Sequence, residues 1–544
     1  VRAGEDRRRA VIEMTSRMTS RSVGVFLLLA VAADGGAQRA APAARAAASR
    51  TSPTSRWKQA AYVKASNPGA GAQFGFSAAL SADGSTLAVG SPMEDSAATG
   101  VNGNQDDHSV FSAGAVYVFV HGSSGWSQQA YIKASKTGPD DQFGFGVSLS
   151  ADGNTLAVSA PYEDSAATGI NGDQADNSMP NSGAVYVFSR SGTKWSQQAY
   201  IKASNTGEAD DGDQFGYSIS LSGDGNQLIV GAIGEDSAAT GVNGNQQDNA
   251  APSSGAAYVF ARSGSTWNQQ AYLKAANAMA NFLFGYSVAF SGDGSTIAVG
   301  SFDEAGSSRA INGPYDRRAA GTGAVYVFTR SGASWAQQAY LKAREGDRQD
   351  SMGCWVAISG DGNTVAAGAL DEDTMVPGIN VVQSGDSGVV DGPDDNSSGA
   401  AYVFVRNGMT WTEQANFKAS NVGKHDWFGI RLDVSGDGST LAVGAPNEDS
   451  AAQGINGNQD DNSADEAGAL YLFGRSGTTW SQQLYVKGSN TEKFDEFGSA
   501  IALSRDGRTM AVGAHFESSG ANGVNGNQRD NSTQQAGAVY IFTR

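Results

Sequence analysis

Trp195-Ser-Gln-Gln-Ala-Tyr-Ile-Lys202 is the stretch on which the reading of this sequence turns, because the chain returns to it seven times. Tryptophans stand at 57, 126, 195, 267, 335, 411 and 480, 68 to 76 residues apart. Each segment closes on a lysine: Lys64, Lys133, Lys202, Lys274, Lys342, Lys418 and Lys487. Three more segments recur inside each period, typified by Phe143-Gly-Phe-Gly-Val-Ser-Leu-Ser150, Leu156-Ala-Val-Ser-Ala160 and Gly183-Ala-Val-Tyr-Val-Phe188. A fixed period of this kind overrides the domain count that 544 residues would otherwise suggest.

Every segment is short, rich in β-branched and aromatic residues and bounded by turn residues, so each reads as a strand. In the Phe143 segment large residues alternate with Gly and Ser, which predicts one bulky face and one small face. Ala-Asp-Gly or Gly-Asp-Gly follows as a hairpin turn, where glycine supplies positive φ. No repeat contains an amphipathic helix pattern. The fold class is all-β. Four short strands repeated seven times must protect their edges, and radial packing of four-stranded antiparallel blades does so. The sequence predicts a seven-bladed β-propeller over residues 57–544, with Gly-rich strands in the crowded region near the axis.

Phe-Gly opens the second segment at 74, 143, 215, 284, 428 and 497, and the third ends in Gly444-Ala445-Pro446 or the similar Gly90-Ser91-Pro92. With these motifs the chain resembles the FG-GAP repeat of integrin α-subunit propellers. The resemblance implies that Phe-Gly begins the innermost strand and Trp the outermost. Residues 57–64 would then pair with 537–542, so that the N-terminal strand closes the ring. It also implies that the closing lysines sit on outer edges, where charge discourages edge-to-edge pairing. One feature departs from that family. Its calcium loops carry Asp-x-Asp-x-Asp-Gly, whereas this hairpin reads Ser150-Ala-Asp-Gly-Asn-Thr155. One carboxylate cannot fill a shell of six to eight oxygens.

Composition bounds the rest. With 71 Gly, 12 Pro, 17% charged and 40% hydrophobic residues, the chain is turn-rich yet able to build a core. The net charge is −18, and the first 56 residues run against it with an excess of arginine. An acidic body repels nucleic acid and anionic lipid. The single cysteine, Cys354, rules out an intrachain disulfide framework and reads as a small buried residue. Arg17 and Arg21, the apolar run 23–33 and the small residues around 37–41 form a signal-peptide pattern over 1–39. Met14 or Met18 would give it ordinary length, and the run is too short for a comfortable membrane span. Residues 40–56 read as a flexible lead-in. The expected location is secreted, periplasmic or cell-surface, with no transmembrane segment in the mature chain.

The acidic insertion before the last segment is the candidate metal site. Its second copy places Glu163, Asp164, Asn171, Asp173 and Asp176 within one loop. The core recurs as Asn243, Asn245 and Asp248, as Asn456, Asn458 and Asp461, and as Asn525, Asn527 and Asp530. Oxygens at this spacing suit calcium (Ca2+), while Asn-Gly turns alone would also produce it. A second acidic cluster, Asp140-Asp141, Asp210-Asp211 with Asp213, and Asp495-Glu496, reads as ordinary surface solvation.

An enzyme finds little support. His108, His121, His425 and His515 fall in separate repeats, and the Glu-Asp pairs are replicated rather than set apart as an acid and a base. The expected function is a non-catalytic binding or adhesion propeller for an extracellular protein or glycan. The alternatives are a structural envelope or matrix protein and, last, a propeller glycoside hydrolase. A ligand site is expected where the symmetry breaks. The fourth repeat carries Arg309, Tyr315, Arg317 and Arg318 in place of the acidic insertion, and the long fifth repeat carries Asp371 and Asp373, then runs through Asp391 to Asn396.

Overall fold

The computed structural model describes residues 57–206, 212–382 and 396–544. The expected export signal (1–39) and lead-in (40–56), with Asp210-Asp211 and Asp391, lie outside these residues. Within them the chain forms seven four-stranded antiparallel sheets. The first blade runs from an inner strand, Ser77–Leu80, through Thr86–Ser91 and Ala115–Gly122 to an outer strand, Gly125–Ile132. In the seventh blade the inner strand is Phe497–Leu503, the second Thr509–Ala514 and the third Ala538–Thr543. Its outer strand is Lys58–Val63, paired antiparallel with Ala538–Thr543 in the register Val63↔Val539 to Lys58↔Thr543. The ring is closed by the N-terminal strand, in the phase that the Phe-Gly blade order requires.

The core lies between blades. Along Ala184–Phe188, Val185 and Val187 pack toward the third blade, while Ala184, Tyr186 and Phe188 pack toward the first. A strand that buries both faces can afford no polar residue, which is why Ala-Val-Tyr-Val-Phe is apolar throughout. Each fully buried aromatic side chain contributes about 1.5–3 kcal/mol relative to exposure. The Trp segment ties neighbouring blades together: Trp195 Nε1 donates to Gln129 Oε1 of the preceding blade (2.9 Å), and Arg190 lies over the indole at 5.3 Å. Trp267 repeats the bond with Gln198, Trp411 with Gln338 and Trp480 with Gln414.

The inner strand departs from simple alternation. A register shift separates Phe215 from Ser218, and similar shifts occur in the fourth, fifth and seventh blades. Phe143 therefore enters the interblade core, whereas Phe145 turns toward Phe76 and Tyr217 around the axis. Glycine between them is obligatory. Gly144 has φ 95°, and a Cβ there would meet the Ala115 carbonyl oxygen at 2.5 Å. At the other end of the inner strands the turns join in a belt. Ala82, Ala151, Gly223, Asp293, Gly360, Gly436 and Arg505 each donate a backbone N–H to the turn of the next blade, at 2.8–3.1 Å.

Candidate functional site

The insertion begins where the second strand ends, and its first residue is not at the surface. Glu163 is 4% exposed. Tyr200 Oη donates to its Oε1 at 2.8 Å, and Lys202 Nζ donates to its Oε2 at 2.7 Å and to Ser182 Oγ at 2.7 Å. The same pair is built as Lys133–Glu94, Lys274–Glu235, Lys342–Glu304, Lys418–Glu372, Lys487–Glu448 and Lys64–Glu517. The expectation of solvent-facing edge lysines is thus corrected. The insertion folds back over the end of the outer strand, so all seven lysines are buried and each meets a carboxylate. Burial pulls the Lys202 amine below its ordinary range while Glu163 opposes the shift. Burial and Glu163 together push the Tyr200 phenol far up, which keeps it protonated and a donor.

The remaining sequence-selected residues shape the loop. Asp164 Oδ1 accepts the Asn181 N–H. Asn171 has φ 55° and exchanges two hydrogen bonds with Tyr200, donating its own N–H to the carbonyl (2.7 Å) and accepting the N–H on Oδ1 (2.9 Å). Asn243 does the same with Tyr272, Asn456 with Tyr485 and Asn525 with Tyr62. Asp173 accepts from Ala175, and Asp176 from Ser178 and Ala166. Asn245, Asp248, Asn458, Asp461, Asn527 and Asp530 accept the N–H two residues on in the same way. Glu163 has both carboxylate oxygens, and Asn171 its Oδ1, engaged with the outer strand. Among the described residues, no group of three or more His, Cys, Asp or Glu is arranged to hold a metal ion.

Of the second acidic cluster, Asp140 is exposed as expected, whereas Asp141, Asp213 and Asp495 prove to be internal. Asp141, Asp213, Asp350, Asp426 and Asp495 are buried, one per blade, under the link that leads into the next inner strand. Asp426 Oδ2 accepts the Gly423 N–H at 2.7 Å, as Asp141 does from Gly138 and Asp495 from Glu492. Burial, with Glu448 and Asp449 nearby, pushes the Asp426 carboxyl up to about 8. Burial raises Asp141 to about 7 and Asp495 to about 8. Solvation does not account for these groups. The link is short, and a carboxyl is what ties its N–H groups.

Where the repeat is broken, the structure brings the two departures together. Arg309, Tyr315, Arg317 and Arg318 are exposed on the fourth insertion. Tyr315 Oη accepts from Gln337, and its ring meets Tyr340 at 5.0 Å. Arg309 pairs with Asp347, and Arg348 donates to the Arg318 carbonyl at 2.8 Å. The same link carries Ser351, whose hydroxyl donates to Asp371 Oδ2 at 2.8 Å. Asp373 follows on the fifth insertion, where its carbonyl accepts from Asn396. The sequence reading missed Arg344 and Arg348, both exposed, which lie in the link rather than in an insertion.

A family model described as FG-GAP repeat matches residues 126–188, 195–260, 267–328, 411–473 and 480–542, together more than half of the chain. The chain belongs to the FG-GAP repeat family. This FG-GAP propeller carries Met352-Gly353 in the fifth blade, which falls among the unmatched residues. No curated protein matches it. Among solved structures, a Bacteroides uniformis protein provisionally assigned as a 6-phosphogluconolactonase is 11% identical over 76% of this chain and 86% of its own, with a TM-score of 0.42. The β-propeller domain of Cps50 (Swd1) from Myceliophteria thermophila is 8% identical over 90% of this chain and 100% of its own, with a TM-score of 0.45. Similarity at this level transfers no function. No helix among the described residues is long and apolar enough to cross a membrane.

The raised carboxyls give the FG-GAP propeller a pH signature. Asp426 titrates near 8 when folded and near 4 when unfolded. The stability that its protonated form contributes is complete below about pH 4 and is lost as pH rises through about 8. Asp426→Asn removes that loss. Thermal melts at pH 5, 7 and 9 are expected to show a melting-temperature advantage for the variant that grows with pH. An offset that is flat across the three would contradict the assignment.

Proposed function

We propose that this FG-GAP propeller is an exported, non-catalytic binding module that takes an extracellular protein or a glycan on its insertion face. The observation that carries this reading is the cluster of five exposed arginines, at 309, 317, 318, 344 and 348, with Tyr315 beside it. It stands on a chain whose net charge is −18. Asp371 and Asp373 border it, and such juxtaposed charge of both signs selects and orients a partner. The insertions of the first, second, third, sixth and seventh repeats are near-copies of one another and offer no comparable point of difference. A calcium contribution would rest on solvent-facing Asp173 and Asp176 and their equivalents, since Glu163 is committed to Lys202. Its affinity would be that of extracellular modules, on the order of 10⁻⁴ to 10⁻³ M.

A panel of surface proteins and glycans, screened in calcium and in EDTA, tests both halves. The triple variant R309A/R317A/R318A is expected to weaken capture at least tenfold while leaving the circular dichroism and the melting temperature unchanged. Retained affinity would move the site elsewhere on the ring. Melting curves that coincide in calcium and EDTA would remove the ion from the reading.

A further inference from the structure

After Phe-Gly the inner segment of each blade turns its third residue toward the axis, on the end that carries the insertions, through a bulge in the third, fourth, fifth and seventh blades. Phe76, Phe145, Tyr217 and Tyr286 thereby form a continuous arc, with ring centroids 5.2, 5.5 and 5.0 Å apart. Phe302 extends the arc, stacked on Tyr286 at 4.7 Å, and His515 ends it edge-on to Phe76 at 5.6 Å. In the other three blades the position is held by Cys354, Ile430 and Ser499, so the arc has an aliphatic and polar gap.

Arg431 fills that side. The next inner-strand position is Ser77, Ser218 and Ser287 in three other blades. Here it is an arginine whose guanidinium lies over Trp355, 4.2 Å from the ring centroid. Its Nη1 donates to the Ile430 carbonyl at 3.1 Å. No carboxylate among the described residues comes within 4.0 Å of it, and Asp433 is engaged instead with the Leu503 and Val434 N–H groups. Its charge reaches Tyr217 and Tyr286 across the axis, and Glu496 only through space. It also reaches His515, which burial keeps neutral and whose Nε2 has no hydrogen-bond partner. A guanidinium has five N–H donors, and a cation without a carboxylate beside it can take one from a ligand. Arg431 is only partly covered, so solvent still reaches it.

We propose that the insertion end of the axis, where Arg431 and Tyr286 are partly open, binds a small organic carboxylate with a flat apolar body, its carboxylate on Arg431 and its body against the aromatic arc. A carboxylate matches the planar fork of arginine, and the faces and edges of Phe145, Tyr217 and Tyr286 suit a flat ring. This site is separate from the arginine cluster on the fourth insertion and does not depend on it.

The test uses the full chain with benzoate, cinnamate and indole-3-carboxylate, followed by calorimetry and thermal melting. At least one is expected to bind saturably and raise the melting temperature, as native-only binding requires. Benzamide, which has the body without the charge, and inorganic phosphate, which has charge without the body, are expected to do neither. Arg431→Ser installs the residue that three other blades carry, and it should weaken the carboxylate at least tenfold. If that variant does not fold, Arg431→Lys keeps the charge, loses the paired donors and should show the same loss. The proposal is overturned by no saturable carboxylate, by benzamide or phosphate binding equally well, or by unchanged affinity in the variant.

Discussion

Removing residues 57–64 is expected to abolish the cooperative melting transition of the propeller and to drive the chain into aggregates. The deletion strips the outer strand from Ala538–Thr543, which is paired from Val539 to Thr543 in the intact ring. It exposes a strand edge rich in apolar residues, the feature that templates association. It also takes away Trp57 and Tyr62, which pack in the core of the seventh blade. Glu517 loses both the Lys64 amine at 2.7 Å and the Tyr62 hydroxyl at 2.8 Å. Breaking such a buried pair from one side costs about 3–5 kcal/mol, and a lost core aromatic costs about as much again. Their sum is comparable with the whole stability of a typical domain, about 5–15 kcal/mol. Calorimetry and size-exclusion chromatography of the deletion, with and without the 57–64 peptide added back, are the measurement. An unchanged transition and elution profile would refute strand exchange between the ends as the closure of the ring.

Lys202→Met is the second large effect, with an expected loss of about 3–5 kcal/mol. The substitution keeps the volume of the stem and leaves the buried Glu163 without its cation. Adding Glu163→Gln removes the uncompensated charge, so the double variant should recover most of the loss. Denaturant melts of the four proteins form a double-mutant cycle, in which contacting groups show a coupling energy and independent ones do not. Two single losses that merely add would show that the pair is incidental to stability.

The blades and their phase were legible because Trp, Phe-Gly and the apolar strands recur with fixed spacing, and the third strand of each repeat is apolar on both faces. The chemistry at the strand ends was not, because a terminal lysine reads as solvated unless its partner is known. That partner lies far off in sequence, at a separation of 39 residues for Lys133, Lys202, Lys274 and Lys487, and 38 for Lys342. The near-constant offset was the available signal. Asp141 and Asp495 were misread for the same reason: a local run of acids resembles a wet surface until the link is seen to close over it. The alternation of Phe143 and Phe145 failed between them, since Gly144 takes a backbone conformation that period-two reasoning does not include.

The outer strand of the seventh blade gives this ring an order of assembly. Lys58–Val63 leaves the ribosome before every strand it will touch, and Ala538–Thr543, its partner, leaves last. Six blades can finish in sequence as they are made, each satisfying its own Lys–Glu pair, while Lys64 waits for Glu517. Completion is therefore a property of the whole ring: a product stopped anywhere short of Ala538–Thr543 carries an unpaired lysine at one end and an open sheet at the other. Quality control that sorts proteins by exposed apolar edges would find every such fragment marked.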